Sequence, residues 1–184
     1  MKMIKSVLDG GVYSISMNRP EKKNAINLEM YIELKDAIKY ADESDDIKVL
    51  VLSGEGGCFT SGNDLSDFLN FPEKIEENPA MQFIDAIANA KKPIVAAVSG
   101  LAIGIGVTML LHCDIVIASK NTVFQMPFVN LGLCPEAGST FLLPNIVGYQ
   151  KAAKLVLTGD TFNAEEAYEM GIVSYLVEDD GLTN

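Results

Sequence analysis

The sequence predicts an α/β fold built on a largely parallel sheet, and three observations carry that prediction. Val49–Leu52 and Pro93–Val98 are continuous apolar runs of strand length, the pattern of strands covered on both faces. Leu28, Tyr31, Leu34, Ile38 and Ala41 recur at three- and four-residue spacing, which marks an amphipathic helix. Strand and helix patterns alternate along the chain, so helical crossovers rather than hairpins join most strands.

The elements follow in order. Ile4–Leu8 and Val12–Met17 read as two strands, joined by Asp9-Gly10-Gly11, residues that tolerate the positive φ of a tight turn. Asn27 is a good helix N-cap, with Glu29 in the first turn. After the Val49–Leu52 strand comes a glycine loop, Ser53-Gly54-Glu55-Gly56-Gly57, then Cys58–Asp64 and a helix from Leu65 to about Ile75. Pro79 can start another helix with Phe83, Ile87 and Ala90 on one face. Pro93–Val98 is followed by the turn Ser99-Gly100 and a short apolar helix from about Ile105 to Leu111. Ile115–Ala118 is a further strand. Lys151, Lys154 and Glu165–Met170 lie in two later helices separated by Thr158-Gly159-Asp160, and Ile172–Val177 reads as a final strand. No internal boundary interrupts this order, so residues 1–184 are read as one domain. In such sheets ligands sit at loops leaving the carboxyl ends of strands. The two loops richest in glycine, after Leu52 and after Val98, both stand there.

Composition excludes several classes. Apolar residues make up 48% and charged residues 21% of 184, which is ordinary for a globular chain. No apolar run reaches the roughly eighteen residues of a membrane span, so no membrane partner is expected. A net charge of −11 argues against a nucleic-acid partner. It leaves room for a small anionic ligand, because a few lysines and backbone N–H groups can hold one against a negative background. Lys22-Lys23 and Lys91-Lys92 are the short basic clusters, readable either as solvated surface or as such contacts. Cys58, Cys113 and Cys134 are odd in number and too scattered for a metal site, which fits a reducing compartment. Neither end carries a signal, and a cytoplasmic location is expected.

Two loops can carry chemistry. In Ser61-Gly62-Asn63-Asp64-Leu65, Gly62 lets backbone approach a ligand, and N–H groups at a helix start would face negative charge. The same residues also read as a plain helix cap with Asp64 as the capping side chain. Gly100–Gly106 opens a helix straight from a buried strand. Its glycine spacing does not match a dinucleotide loop, and it reads either as tight packing on the sheet or as a second N–H donor.

Together the motifs resemble the crotonase (enoyl-CoA hydratase/isomerase) superfamily. Cys58–Leu65 is similar to its first signature, and Gly100–Asp114 to its second. Asn18-Arg19-Pro20 with Asn24-Ala25-Ile26-Asn27, Val156–Asp160 and Ala164–Val173 also match, so the resemblance covers nearly the whole chain. It implies a crotonase-like α/β fold of repeated ββα units and an acyl-CoA thioester as partner. No resident cofactor or metal is implied, coenzyme A being part of the substrate. It also implies an oxyanion hole made by the backbone N–H groups of Asn63 and Ile105, which take the thioester oxygen as it becomes an enolate. The side chain at position 63 is then expected to matter little. Lys22, Lys23, Ala25, Ser61, Gly62, Asp64, Leu65 and Gly104 would bind substrate beside Asn63. Members form trimers or dimers of trimers. They usually continue for several helices past the point where Asn184 stands, so those helices are expected to be absent and the apolar surface they cover to lie bare.

The resemblance also narrows the reaction. Hydratases of the family carry two glutamates, at the positions of Thr108 and Phe128 here. Water addition needs a base and an acid, and both carboxylates are missing. The Δ3,Δ2-enoyl-CoA isomerase subgroup instead has glutamate at the position of Glu136, together with variants matched by Gly62–Leu65 and Gly104–Thr108. One carboxylate suffices to take an α-proton and return it to the γ-carbon. Glu136 is therefore expected to be the catalytic group. Thr108, Phe128 and Leu133 would form the acyl pocket, and Met126 and Phe141 would complete an apolar wall that raises the basicity of the glutamate. From the residues alone, Glu136 also reads as an acid near a helix start, His112 as a packing residue and Asp114 as structural. The alternatives are a hydratase or other crotonase reaction, or a catalytically silent module binding acyl-CoA or protein.

Overall fold

The computed structural model describes residues 2–68, 77–179 and 182. β1 (Ile4–Asp9) and β2 (Val12–Met17) form the expected hairpin, with Gly10 and Gly11 at positive φ in the turn. α1 (Leu28–Glu43) starts where Asn27 caps it: the side chain accepts a hydrogen bond from the Met30 N–H. Its buried face is Met30, Tyr31, Leu34, Ile38 and Ala41. β3 (Val49–Gly54) lies between β2 and β4 (Ile94–Val98), which explains its unbroken apolar character. α2 (Leu65–Phe68) begins at the expected residue, and the rest of the helix expected to about Ile75 lies outside the described residues. α3 (Pro79–Ala88) has Asn78 as its cap and Pro79 in its first turn, and packs on α1.

Among the described residues the main sheet has six strands in the order β1-β2-β3-β4-β6-β9, with β6 at Ile115–Ser119 and β9 at Tyr175–Val177. All neighbours are parallel except β1 and β2. A second sheet was not expected. β5 (Leu101–Ile103) pairs in parallel with β7 (Val123–Gln125), which pairs antiparallel with β8 (Thr161–Asn163). Strands of three residues are too short to show a period, so they read as loop in the sequence.

Two expected elements are shorter. The helix expected over Ile105–Leu111 is α4 (Ile105–Thr108) followed by a 3-10 turn over Met109–His112. The strand expected from Ile172 begins only at Tyr175, because the N–H groups of Ile172 and Val173 both turn back to Ala167 O and close α7 (Ala164–Glu169). α5 (Ser139–Val147) and α6 (Tyr149–Thr158) pack side by side. Apolar side chains stand bare on this pair: Phe141 is 73%, Tyr149 74% and Leu157 71% exposed. Phe141 therefore points to solvent and is not part of the apolar wall expected around Glu136, whereas Met126 and Phe128 are buried. One contiguous apolar core joins both sheets and α1, α3 and α4. No helix among the described residues is long and apolar enough to cross a membrane.

Candidate active site

The loop after β3 and the loop after β4 are stitched together by backbone. Thr60 N–H donates to Leu101 O at 2.8 Å, and Ile103 N–H donates to Thr60 O at 3.1 Å. The fit is tight. A Cβ at Gly62, whose φ is +95°, would stand 2.8 Å from Ile103 O, and one at Gly106 would meet Thr60 Cγ2 at 2.6 Å. Glycine is required at 62 because the two backbones nearly touch, and at 106 because the buried Thr60 methyl fills the space a side chain would need.

A third strand of chain locks the first loop from the other side. Ile26 N–H donates to Gly62 O, and Asp64 N–H donates to Ile26 O. That pattern uses the groups on either side of Asn63 and skips its own N–H, which meets no acceptor among the described residues. At α4, Val107 and Thr108 N–H both go to Gly104 O, and the N–H of Ile105 lies ahead of the first helical bond. The N–H groups of Asn63 and Ile105 thus stand on the two stitched segments, Asn63 on the wall of the adjacent cavity and Ile105 buried behind it at 1% exposure.

Next to these loops is a cavity of about 260 Å³. Its lining includes Ser61, Gly62, Asn63, Leu65, Ile103, Gly104, Phe128 and Leu133, and it is mainly apolar. Seven of the expected site residues, all of these but Ile103, are brought together here. Others are not on its wall. Lys22 and Lys23 are exposed, and with Ala25 they form a separate turn tied to the loop: Ser61 N–H donates to Lys23 O at 2.9 Å. Asp64 is turned away to Arg19, whose Nη1 lies 2.6 Å from Asp64 Oδ2 and also donates to Ala25 O at 3.1 Å. Hydrogen bonds from Ser66 and then Arg19 hold the Asp64 carboxyl down at about 2. Arg19 thereby clamps the lysine turn to the Ser61–Leu65 loop, a role that its place in a matching motif did not reveal. Buried Asn24 adds to the clamp by donating to Glu55 O and Cys58 O.

Thr108 and Glu136 meet each other rather than that cavity. Thr108 is wholly buried, and its hydroxyl donates to Glu136 Oε1 at 2.6 Å. Thr108 is three residues along α4 from Ile105, or about 4.5 Å along the helix axis, so Glu136 docks one turn from the candidate donor. Burial raises the Glu136 pKa above the usual carboxylate range, and the Thr108 hydrogen bond works against that rise. The next residue, Ala137, has φ +55°, a conformation rare for a residue with a Cβ. His112 holds it there: its Nε2 lies 2.8 Å from Ala137 O and, facing a carbonyl, donates. Ser139 N–H and Oγ both donate to Glu136 O. His112, expected only to pack, thus positions the loop that bears Glu136. Asp114 is structural as expected, its carboxylate accepting from Ile94 N–H at 2.8 Å.

Asn63 and Glu136 are linked through a residue that the sequence reading placed only on a core face. Tyr31 donates its hydroxyl to Asn63 Oδ1, and the charge of Glu136 is near enough to raise the Tyr31 pKa further, after burial. The side chain at position 63 therefore has a partner that the sequence did not assign to it. No cluster of three or more potential metal ligands exists among the described residues.

Comparison with known proteins agrees with this architecture. The family model described as enoyl-CoA hydratase/isomerase matches residues 8–184. The 1,2-epoxyphenylacetyl-CoA isomerase of Escherichia coli (strain K12) is 36% identical over 100% of this chain and 73% of its own length. Enoyl-CoA delta isomerase 2 of Homo sapiens is 39% identical over 93% of this chain, which spans only 45% of that relative. The crystal structure of enoyl-CoA hydratase/isomerase from Pseudoalteromonas atlantica T6c superposes with a TM-score of 0.94 at 44% identity, covering 99% of this chain and 72% of that one. With the motifs, the fold and the family model in agreement, the chain belongs to the enoyl-CoA hydratase/isomerase family of the crotonase superfamily.

Proposed function

We propose that the protein is an acyl-CoA isomerase that moves a 3-enoyl-CoA double bond to the 2-position through a thioester enolate. The observation that carries this reading is the pairing of Glu136 with Thr108. Glu136 is half-buried and bonded to the hydroxyl of Thr108, at whose position the family's hydratases carry a carboxylate. A hydroxyl can orient and hydrogen-bond Glu136 but cannot act as the second acid or base that water addition needs. In the proposed reaction, the N–H groups of Asn63 and Ile105 receive the thioester oxygen. Glu136 removes the α-proton, the electron pair moves into the enolate, and the same carboxylic acid delivers the proton to the γ-carbon as the double bond shifts. Preorganised N–H donors of this kind each contribute about 10²–10³ in rate.

The names of the relatives support isomerase chemistry in general. Two of them rearrange different acyl-CoA compounds, so the choice among reactions rests on the site. Lys22, Lys23 and Ala25 are proposed to meet the CoA arm, and Phe128 and Leu133 the acyl chain. A trimeric assembly is part of the same proposal. The test is to incubate the protein with 3-enoyl-CoA and, separately, with 2-enoyl-CoA, and to identify the products. The reading predicts 2-enoyl-CoA from the first and little 3-hydroxyacyl-CoA from the second. Rapid hydration without double-bond migration would overturn it.

A further inference from the structure

α1 begins beside the Ser61–Leu65 loop because the chain entering it is bonded to that loop. Ile26 bridges Asn63 in parallel register, and the Asp67 carboxylate accepts from Leu28 N–H at 3.0 Å. Helical side chains point back toward the N-terminus, so Tyr31, one turn in, reaches the loop. The ring is 1% exposed and packs on Phe83 with centroids 5.6 Å apart. The hydroxyl goes to Asn63 Oδ1. A helix core position needs only an apolar ring there, and Phe would fill it. A buried hydroxyl carries a desolvation cost that its hydrogen bond must offset, and that bond ends on the residue whose backbone N–H is left open.

We infer that Tyr31 is a positioning residue for the oxyanion hole: its hydroxyl fixes the Asn63 side chain, and through it the plane of the peptide that presents the Asn63 N–H to the thioester oxygen. This rests on the oxyanion reading of Asn63. Ile26 holds the carbonyl of that peptide and the Asp64 N–H beyond it, and the Tyr31–Asn63 bond adds a side-chain hold at the residue between them. Burial, and after it the charge of Glu136, pushes the Tyr31 pKa up and keeps the hydroxyl in the donor form that the role requires. Tyr31 needs no contact with substrate. Its effect belongs on the stabilisation of the enolate rather than on binding.

The test pairs kinetics with a direct view of the thioester. Hexanoyl-CoA labelled with carbon-13 at the carbonyl binds without reacting, and infrared difference spectra report how strongly its carbonyl is polarised. In the wild type the bound band should fall below that of free hexanoyl-CoA. Tyr31→Phe keeps the ring and the fold. It should shrink that shift, leave the hexanoyl-CoA Kd within about twofold, and lower kcat on 3-enoyl-CoA about 5- to 30-fold, less than the ~10²–10³ expected for losing a donor outright. Asn63→Ala should do the same, and the double variant should be no worse than either single one, because both remove one interaction. An unchanged band in Tyr31→Phe, or single effects that multiply in the double variant, would overturn the inference. A wild-type band that shifts without any isomerisation of 3-enoyl-CoA would refute the isomerase reading and leave Tyr31's role standing. A wild-type band that does not shift would remove the oxyanion hole and Tyr31's role together.

Discussion

Asp64 and Glu136 show how one chain drives two carboxylates in opposite directions. Asp64 accepts from Ser66 and Arg19, which favour its charge, so its pKa is depressed. It contributes stability that is present above the unfolded value of about 4 and is lost as pH falls through about 2. Glu136 is raised by burial, so it favours its neutral form and becomes a base only as pH rises through that elevated value. The acid limb of kcat/KM should therefore lie above the ordinary carboxylate range. Thr108→Val keeps the shape but removes the hydrogen bond that opposes the rise. The limb should then move to higher pH, and the pH-independent rate should fall about tenfold as Glu136 loses its orientation; a pH–rate profile of both proteins measures this. Little of the pairing was legible beforehand. Glu136 stood out only through the family resemblance, because Pro-Glu-Ala-Gly also reads as a helix start. Its partner lies 28 residues away and Tyr31 lies 32 from Asn63, separations at which no local spacing reports contact.

At the scale of elements, the site depends on backbone meeting backbone. The strands β3 and β4 were legible because both of their faces are covered and their runs are unbroken. α1 was legible because Asn27 supplies a cap with a mechanism. β5, β7 and β8 were not, since three residues show no alternation, yet β5 is the strip to which the Thr60 backbone bonds. The glycine at position 62 was expected to permit close approach, and the approach proves to be to Ile103 O rather than only to a ligand. Gly62→Ala should therefore fail twice, through its positive φ and through the 2.8 Å clash with a backbone oxygen that cannot swing away. Strain of this kind costs about 1–3 kcal/mol. At about 2–4 °C per kcal/mol for a chain of this size, thermal unfolding should show a clear drop in Tm. Activity should fall even well below that temperature, because the two donor loops can no longer close on each other. A variant with wild-type Tm would show that the contact is slack.

Across the whole molecule, the six-stranded sheet brings the loops after β3 and β4 to one end, and the smaller sheet holds them there. The fold class was legible from alternating strands and helices, and the two glycine-rich loops do leave the carboxyl ends of the central strands β3 and β4. What the pattern could not tell was which side chains share a cavity and which only brace it. Lys22, Lys23, Asp64 and Thr108 stand around the lining rather than on it, and Arg19, Tyr31 and His112 connect the pieces through side-chain bonds that no periodicity encodes. The account as a whole stands on one group moving one proton. Its most direct measurement is the conversion of 3-enoyl-CoA to 2-enoyl-CoA by wild type and Glu136→Gln, with acyl-CoA affinity followed in parallel. Glutamine preserves the shape and can still accept from Thr108, but it cannot take a proton. The rate should fall about 10²–10⁴-fold with Kd nearly unchanged, since the proposed thioester grip and CoA contacts lie on other segments. Full isomerase activity in Glu136→Gln would contradict the account.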